Sequence, residues 1–274
     1  MLWNAKNGEV SLAGTKMSYV SFGSGRCALV LLPGLSDGLA AVRGKALLLA
    51  RPYTLFFEKY TVYMFSRKDD LPVGCSIRGM ADDQAQAMAA LGIERACVMG
   101  VSQGGMIAQY LAADHPELVE KLVLAVTAPC VNPQVEGCVQ SWLSLAREGR
   151  HRELMIDTAE KSYSPAYLKK YRKLYPLLGL VGRPASYDRF CVNARAILDF
   201  DASDRLGSIA CPTLILGGEE DRIVGIQASY DLQERIAGSR LYVYKGLGHA
   251  VYEEAPDFNR RVFDFLEAPH LLPE

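Results

Sequence analysis

Cys27-Ala28-Leu29-Val30-Leu31-Leu32 is apolar at every position, and Tyr60–Phe65, Arg95–Met99, Lys121–Val126 and Pro212–Leu216 are nearly so. Short apolar runs bounded by turn residues predict strands covered on both faces. Thr15–Phe22 alternates, with Met17 and Tyr19 directed inward alongside Val20 and Phe22. That pattern predicts a half-exposed strand. Arg240–Tyr244 reads as the last strand.

Between these runs the apolar period lengthens. A polar loop follows Phe65 as far as Gly79. Met80–Leu91 then puts Ala81, Ala85, Met88 and Leu91 on one side and stops at Gly92, which predicts a helix. Met106–Ala113, Ile226–Ile236 and Pro256–Phe265 also read as helices. Leu39–Tyr60 is mostly helical in character, interrupted by Pro52. Strands and helices that alternate at this spacing predict an α/β protein with a doubly wound, mostly parallel sheet.

The alternation stops at Ala128 and resumes only after Gly207. The intervening segment has helical patterns, no clear strand, and many Tyr, Leu, Arg and Lys residues. Ser164-Pro165 is an N-cap followed by proline at the first helical position. Tyr163, Tyr167, Tyr171 and Tyr175 recur every fourth residue, which predicts that the last three share a helix face. Residues 128–207 are therefore expected to form a helical cap inserted into a core built from 1–127 and 208–274.

One turn joins strand to helix within about three residues. It is Gly100-Val101-Ser102-Gln103-Gly104-Gly105, between the run ending at Met99 and the helix starting near Met106. So tight a turn has no room for side chains at Gly100 and Gly104, and it holds the Ser102 hydroxyl at a helix N-terminus. This is the pattern of a nucleophile elbow. The short motif is weak by itself and needs partners.

A serine hydroxyl needs a base, and the base an orienting carboxylate. Among the four histidines, His115 and His151 precede any strand that could supply an acid in the order Ser, acid, His. His270 is in the tail. His249 sits in the loop Gly246-Leu247-Gly248-His249, just after the last strand. Asp221 follows the strand Pro212–Leu216 in the loop Gly217-Gly218-Glu219-Glu220-Asp221. It is preferred over Glu219 and Glu220 because it lies deepest in the turn, before Ile223-Val224. Both loops leave the carboxyl ends of parallel strands, the edge where such sheets build sites. An oxyanion needs N–H donors. The N–H groups of Gln103 and of Leu35, in the loop after Leu32, are the candidates.

Composition narrows the partners. The net charge is −1, which gives no footprint for nucleic acid or an anionic membrane. No run is long enough to span a bilayer, and residues 1–8 hold no apolar signal core. The seven cysteines form no C-x-x-C pair. They read as reduced thiols of a cytoplasmic protein, with Cys27, Cys97 and Cys211 as small core residues. No metal or cofactor is called for, and the expected partner is a small-molecule substrate.

Leu31-Leu32-Pro33-Gly34, the Ser102 turn, Pro212–Gly218 with Asp221, and Gly248-His249 together resemble the α/β-hydrolase fold superfamily, from about Met17 to the final helix. Among its members they look most like small cap-bearing esterases, lactonases, haloperoxidase-like enzymes and C–C-bond hydrolases. The resemblance implies an eight-stranded sheet, a triad of Ser102, His249 and Asp221, and an acyl-enzyme mechanism on an ester, thioester or related acyl bond. Pro33 departs from the pattern, because many relatives carry histidine there. Serine at the elbow, where dehalogenases and epoxide hydrolases of this fold carry aspartate, argues against those activities. An acyltransferase or perhydrolase with the same triad, or a ligand sensor retaining the fold, are the alternatives. In the cap, Trp142, Tyr167 and Tyr171 either contact an apolar or aromatic substrate or pack the cap onto the core.

Overall fold

The computed structural model describes residues 2–12, 14–180 and 182–269. The strands are β1 (Lys6–Leu12), β2 (Thr15–Gly23), β3 (Cys27–Leu32), β4 (Tyr60–Lys68), β5 (Ala96–Val101), β6 (Val119–Ala125), β7 (Thr213–Gly218) and β8 (Arg240–Tyr244). The α-helices of the first half are α1 (Ala46–Ala50), α2 (Ile77–Ala90) and α3 (Gln103–Asp114). Between β6 and β7 come α4 (Pro133–Arg147), α5 (His151–Ser162), α6 (Pro165–Tyr171), α7 (Tyr175–Leu178) and α8 (Asp188–Leu198). The chain closes with α9 (Ile226–Arg235), α10 (Val251–Glu254) and α11 (Phe258–Glu267). No described helix is long and apolar enough to cross a membrane.

All eight strands form one sheet in the order β1-β2-β4-β3-β5-β6-β7-β8. From β4 to β8 every neighbour is parallel, and β2 pairs antiparallel with both β1 and β4. The apolar runs explain this burial. Alternate residues point to opposite faces, so Val30 and Leu32 enter one core cluster while Leu29 and Leu31 enter the other. The first cluster takes Met80 and Met88 of α2, Ile107 and Leu111 of α3, and Leu232 of α9. The second takes Ala46 and Ala50 of α1 and Phe258, Val262 and Leu266 of α11. Helices thus cover both faces, the doubly wound arrangement the runs predict.

Several expectations need correction. β1 was not foreseen, because only Val10 and Leu12 of its residues are buried. β2 is not half-exposed. Met17 packs in one cluster with residues of α2, and Val20 and Phe22 pack in the other with residues of α1, so neither face is open. The loop before α2 ends earlier than Gly79, because the Ser76 hydroxyl accepts from Gly79 N–H and caps a helix starting at Ile77. In 39–60 the regular helix is short, and Pro52 opens a 3₁₀ turn, Arg51–Phe56, directly after α1. Cys27 is exposed at the start of β3; Cys97 is buried and Cys211 half-buried, and burial raises their thiols to about 12 and about 11.

The helices α4–α8 leave and rejoin the sheet at one place. Cys130 and Asp201 form an antiparallel bridge, with Val131 N–H on Phe200 O (3.1 Å) and Ala202 N–H on Pro129 O (2.9 Å).

Candidate active site

Ser102 stands where β5 gives way to α3, at φ 54° and ψ −120°. A non-glycine residue there stores about 1–3 kcal/mol of strain, so its neighbours must hold it. Ser102 N–H donates to Ala125 O (2.9 Å), and the Thr127 hydroxyl donates to Ser102 O (2.8 Å). The glycines are required by contact. A Cβ on Gly104 would lie 1.9 Å from Leu32 O, and one on Gly100 would lie 2.4 Å from Gly104 O.

The loop after β3 lies against this turn. A Cβ built on Gly34 would meet Ser102 Cβ at 3.3 Å and its Oγ at 3.8 Å. Leu35 is the first residue of a 3₁₀ turn, Leu35–Gly38, and Gln103 is the first residue of α3. The first N–H groups of a helix have no carbonyl of their own helix to bond. Two such groups therefore belong to the two loops that meet beside Ser102.

Asp221 and His249 are both buried and joined, Oδ2 to Nδ1, at 2.7 Å. The other carboxylate oxygen, Oδ1, accepts Ile223 N–H (2.8 Å) and Val224 N–H (3.0 Å). Those are the apolar residues that mark the depth of the turn in the sequence. Glu219 and Glu220 are exposed, and Glu219 instead accepts from Gly246 N–H (2.9 Å). The two loops pack backbone on backbone, since a Cβ on Gly218 would lie 2.1 Å from Gly248 O. Ser102 Oγ and His249 Nε2 are not hydrogen-bonded to each other, and neither atom is sealed from solvent.

Behind the serine lies a buried charged cluster that the sequence reading missed. Arg67, at the end of β4, donates through Nη2 to Pro33 O (2.6 Å) and to Gln103 Oε1 (2.9 Å). Asp37 Oδ2 accepts Arg67 N–H (3.0 Å) and Arg189 Nη2 (2.7 Å). Arg189, on α8, also donates to the Asp37 and Arg67 carbonyls. Burial would raise the Asp37 carboxyl, but Arg189, Arg67 and the Arg67 N–H outweigh it and hold it below 3.8. One carboxylate thus serves two guanidiniums. Arg67 is left short: burial, helped by the like charge of Arg189, outweighs Asp37 and pushes it down to about 10. The available signal was an arginine two residues past the apolar run Tyr60–Phe65, where the strand is still buried.

The inserted helices touch each of these loops. Gln134 donates to Asp221 O (3.0 Å) and Asn132 to Val224 O (2.9 Å). Ser162 O accepts Ala250 N–H (2.9 Å), and Ser164 bonds Glu254 through both its N–H (2.9 Å) and its hydroxyl (2.6 Å). Gln103 Nε2 donates to Asn193 O on α8 (2.8 Å).

The aromatic residues are placed differently from one another. Trp142 is buried between α4 and α5, with its indole N–H on Asp157 (2.7 Å). Tyr163, Tyr167 and Tyr171 form a half-buried stack with centroids 4.5 and 4.4 Å apart. The Tyr163 hydroxyl bonds Glu253 (2.6 Å). Tyr175 is not on the helix that carries Tyr167 and Tyr171. α6 stops at Tyr171, and Tyr175 opens α7 with its hydroxyl on Glu160 (2.8 Å). His115 pairs with Asp82 (2.9 Å), His151 opens α5, and His270 lies outside the described residues. A cavity of 530 Å³ lies at the opposite edge of the sheet, beside Arg95, Lys121, Thr213 and Arg240, and none of the expected site residues lines it.

The fold and this edge define the class: the chain belongs to the α/β hydrolase fold family, whose model matches residues 28–256. It is an enzyme, a hydrolase of that fold. It is 31% identical over 288 aligned positions to the 2-hydroxy-6-oxononadienedioate/2-hydroxy-6-oxononatrienedioate hydrolase 2 of Pseudomonas putida, covering 96% of this chain and 94% of that one. It is 30% identical over 217 positions to the 2-hydroxy-6-oxo-6-phenylhexa-2,4-dienoate hydrolase of Comamonas testosteroni, covering 77% and 73%. The enol-lactonase of Burkholderia xenovorans LB400 superposes with a TM-score of 0.79 over 95% of this chain and 100% of that one, at 21% identity.

Proposed function

We propose that the protein is a serine hydrolase that opens an ester, thioester or related acyl bond of a small organic substrate through an acyl-enzyme. The observation that carries this is the buried Asp221–His249 pair, 2.7 Å apart, on the same sheet edge as a strained, solvent-accessible Ser102. Asp221 fixes the tautomer with the proton on Nδ1 and leaves Nε2 free to act as base. Ser102 Oγ then attacks the carbonyl carbon while His249 takes its proton. The N–H groups of Leu35 and Gln103 receive the oxyanion. His249 returns the proton to the leaving group, and the acyl group stays on Ser102. Water, deprotonated by His249, attacks the acyl carbonyl, and His249 hands that proton to Ser102 Oγ as the acid product leaves. Catalytic hydrogen bonds are often loose without substrate and tighten in the complex, so the Ser102–His249 bond belongs to the substrate-bound state. Residues 128–207 serve as the cap over a core of 1–127 and 208–274, with Tyr167 and Tyr171 on the side that meets substrate. Trp142, with its N–H already bonded inside the cap, is given no substrate contact.

The names of the two sequence relatives favour a second reading, in which the attacked carbonyl is the ketone of an oxo-dienoate and the leaving group is carbon. The test is a panel of p-nitrophenyl esters, enol-lactones and 2-hydroxy-6-oxo-6-phenylhexa-2,4-dienoate, run with Ser102→Ala. Turnover of at least one substrate is expected, lowered on the order of 10⁴-fold in the variant. Equal rates in the two proteins would refute the assignment. Partition of product between water and added alcohol or peroxide separates hydrolysis from acyl transfer.

A further inference from the structure

We propose that Arg67 is a positioning residue that sets the spacing of the two oxyanion N–H donors, and that Arg189 ties this spacing to the seating of α8. This rests on the serine hydrolase reading above. A single nitrogen of Arg67 holds Pro33 O (2.6 Å), two residues before Leu35, and Gln103 Oε1 (2.9 Å), the side chain of the other donor residue. Asp37, two residues after Leu35, is held by Arg67 N–H (3.0 Å). Leu35 is therefore gripped on both sides by the residue that also grips Gln103. An oxyanion hole works because its donors are already in place when charge develops, so a fixed separation is what catalysis needs.

Burial of the cluster supports this role over simple adhesion. Arg67 is 1% exposed and Asp37 3% exposed. A buried ion pair is seldom a net source of stability, because desolvation offsets the attraction. Apolar residues would join β4 to α8 at less cost, but they could not hold a carbonyl and an amide at once. The same cluster reaches the cap from both donor residues' loops. Arg189 bonds Asp37, and Gln103 Nε2 bonds Asn193 O (2.8 Å), both on α8. The two guanidiniums against one carboxylate also leave a net positive charge behind the place where the oxyanion forms.

The test compares wild type with Arg67→Met and Gln103→Met. The second variant keeps the backbone N–H and the Pro33 contact but cuts the link between the two donors. Each is assayed for kcat and KM on p-nitrophenyl acetate, for inhibition by an alkyl trifluoromethyl ketone, for fluorophosphonate labelling of Ser102, and for urea unfolding. The ketone forms a hemiketal on Ser102 whose oxyanion occupies the hole. In both variants kcat is expected to fall about tenfold to a hundredfold with KM within about threefold, and the ketone inhibition constant to rise by the same factor as kcat falls. If Arg67→Met does not fold, Gln103→Met carries the same expectation. A folded variant with kcat and ketone inhibition within about threefold of wild type would overturn the proposal. So would a loss of kcat with unchanged ketone affinity, the mark of a merely structural role. A wild-type Ser102 that neither labels nor turns over ester would overturn the underlying function, and this proposal with it.

Discussion

Replacing Asp221 by asparagine probes the site at the point where its geometry is fully specified. The wild-type carboxylate accepts three N–H groups, two from Ile223 and Val224 on Oδ1 and one from His249 on Oδ2. Asparagine has one acceptor oxygen and one donor amide. If the oxygen keeps the two backbone N–H groups, the amide faces Nδ1 and forces the histidine proton onto Nε2, where it blocks base catalysis. If the amide flips, the backbone N–H groups of Ile223 and Val224 lose their acceptor. Each unmet buried donor costs about 1–3 kcal/mol, so the flip is disfavoured by about 2–6 kcal/mol. The blocked tautomer therefore dominates. Loss of the productive tautomer is worth about 10⁴ in kcat, equivalent to about 5 kcal/mol of barrier. The assay is kcat of Asp221→Asn on p-nitrophenyl acetate, with ¹⁵N NMR of the His249 ring to read the tautomer. A folded variant within tenfold of wild type, or one whose Nδ1 stays protonated, would refute this account.

Three further outcomes are expected. Ser102→Gly should relieve the positive-φ strain and raise stability by about 1 kcal/mol while abolishing turnover; thermal unfolding checks it, and an unchanged or lower midpoint would count against stored strain. Gly104→Ala puts a Cβ 1.9 Å from Leu32 O and should cost about 3 kcal/mol or more, seen as a fall in the unfolding midpoint of roughly 6–10 °C; a wild-type midpoint would mean the turn is looser than described. Asp37 has a carboxyl held below 3.8 in the folded protein, so the unfolded chain binds the extra proton. Its contribution is present above pH 3.8 and is lost as pH falls through the folded value. Urea midpoints of wild type and Asp37→Asn should converge as pH drops from about 5 to about 3; a constant gap would refute the linkage.

Much of the sheet was legible because burial on both faces leaves a continuous apolar run, as in Cys27–Leu32. The elbow was legible because steric contact at Gly100 and Gly104 admits one residue type. Asp221 stood out from Glu219 and Glu220 because only it precedes apolar residues whose N–H groups need a buried acceptor. β1 was hidden because an edge strand needs few apolar positions. β2 misled because the second layer that covers it is distant in sequence. Ser76 was passed over because a single capping hydroxyl in a polar loop has no periodic signature. The cluster of Arg67, Asp37 and Arg189 was missed for a different reason. Its members lie 30 residues or more apart, and each by itself resembles an ordinary surface charge.

The bridge between Cys130 and Asp201 brings the two ends of the segment carrying α4–α8 together. Joining residue 129 to 202 through a short glycine link would leave every strand pairing of the sheet intact. It would also strip the Asp221 loop, the His249 loop and α3 of the hydrogen bonds that Gln134, Ser162 and Asn193 supply. The segment that such a link would remove is the one that steadies these loops. A replacement segment must bring its own grip on all three loops.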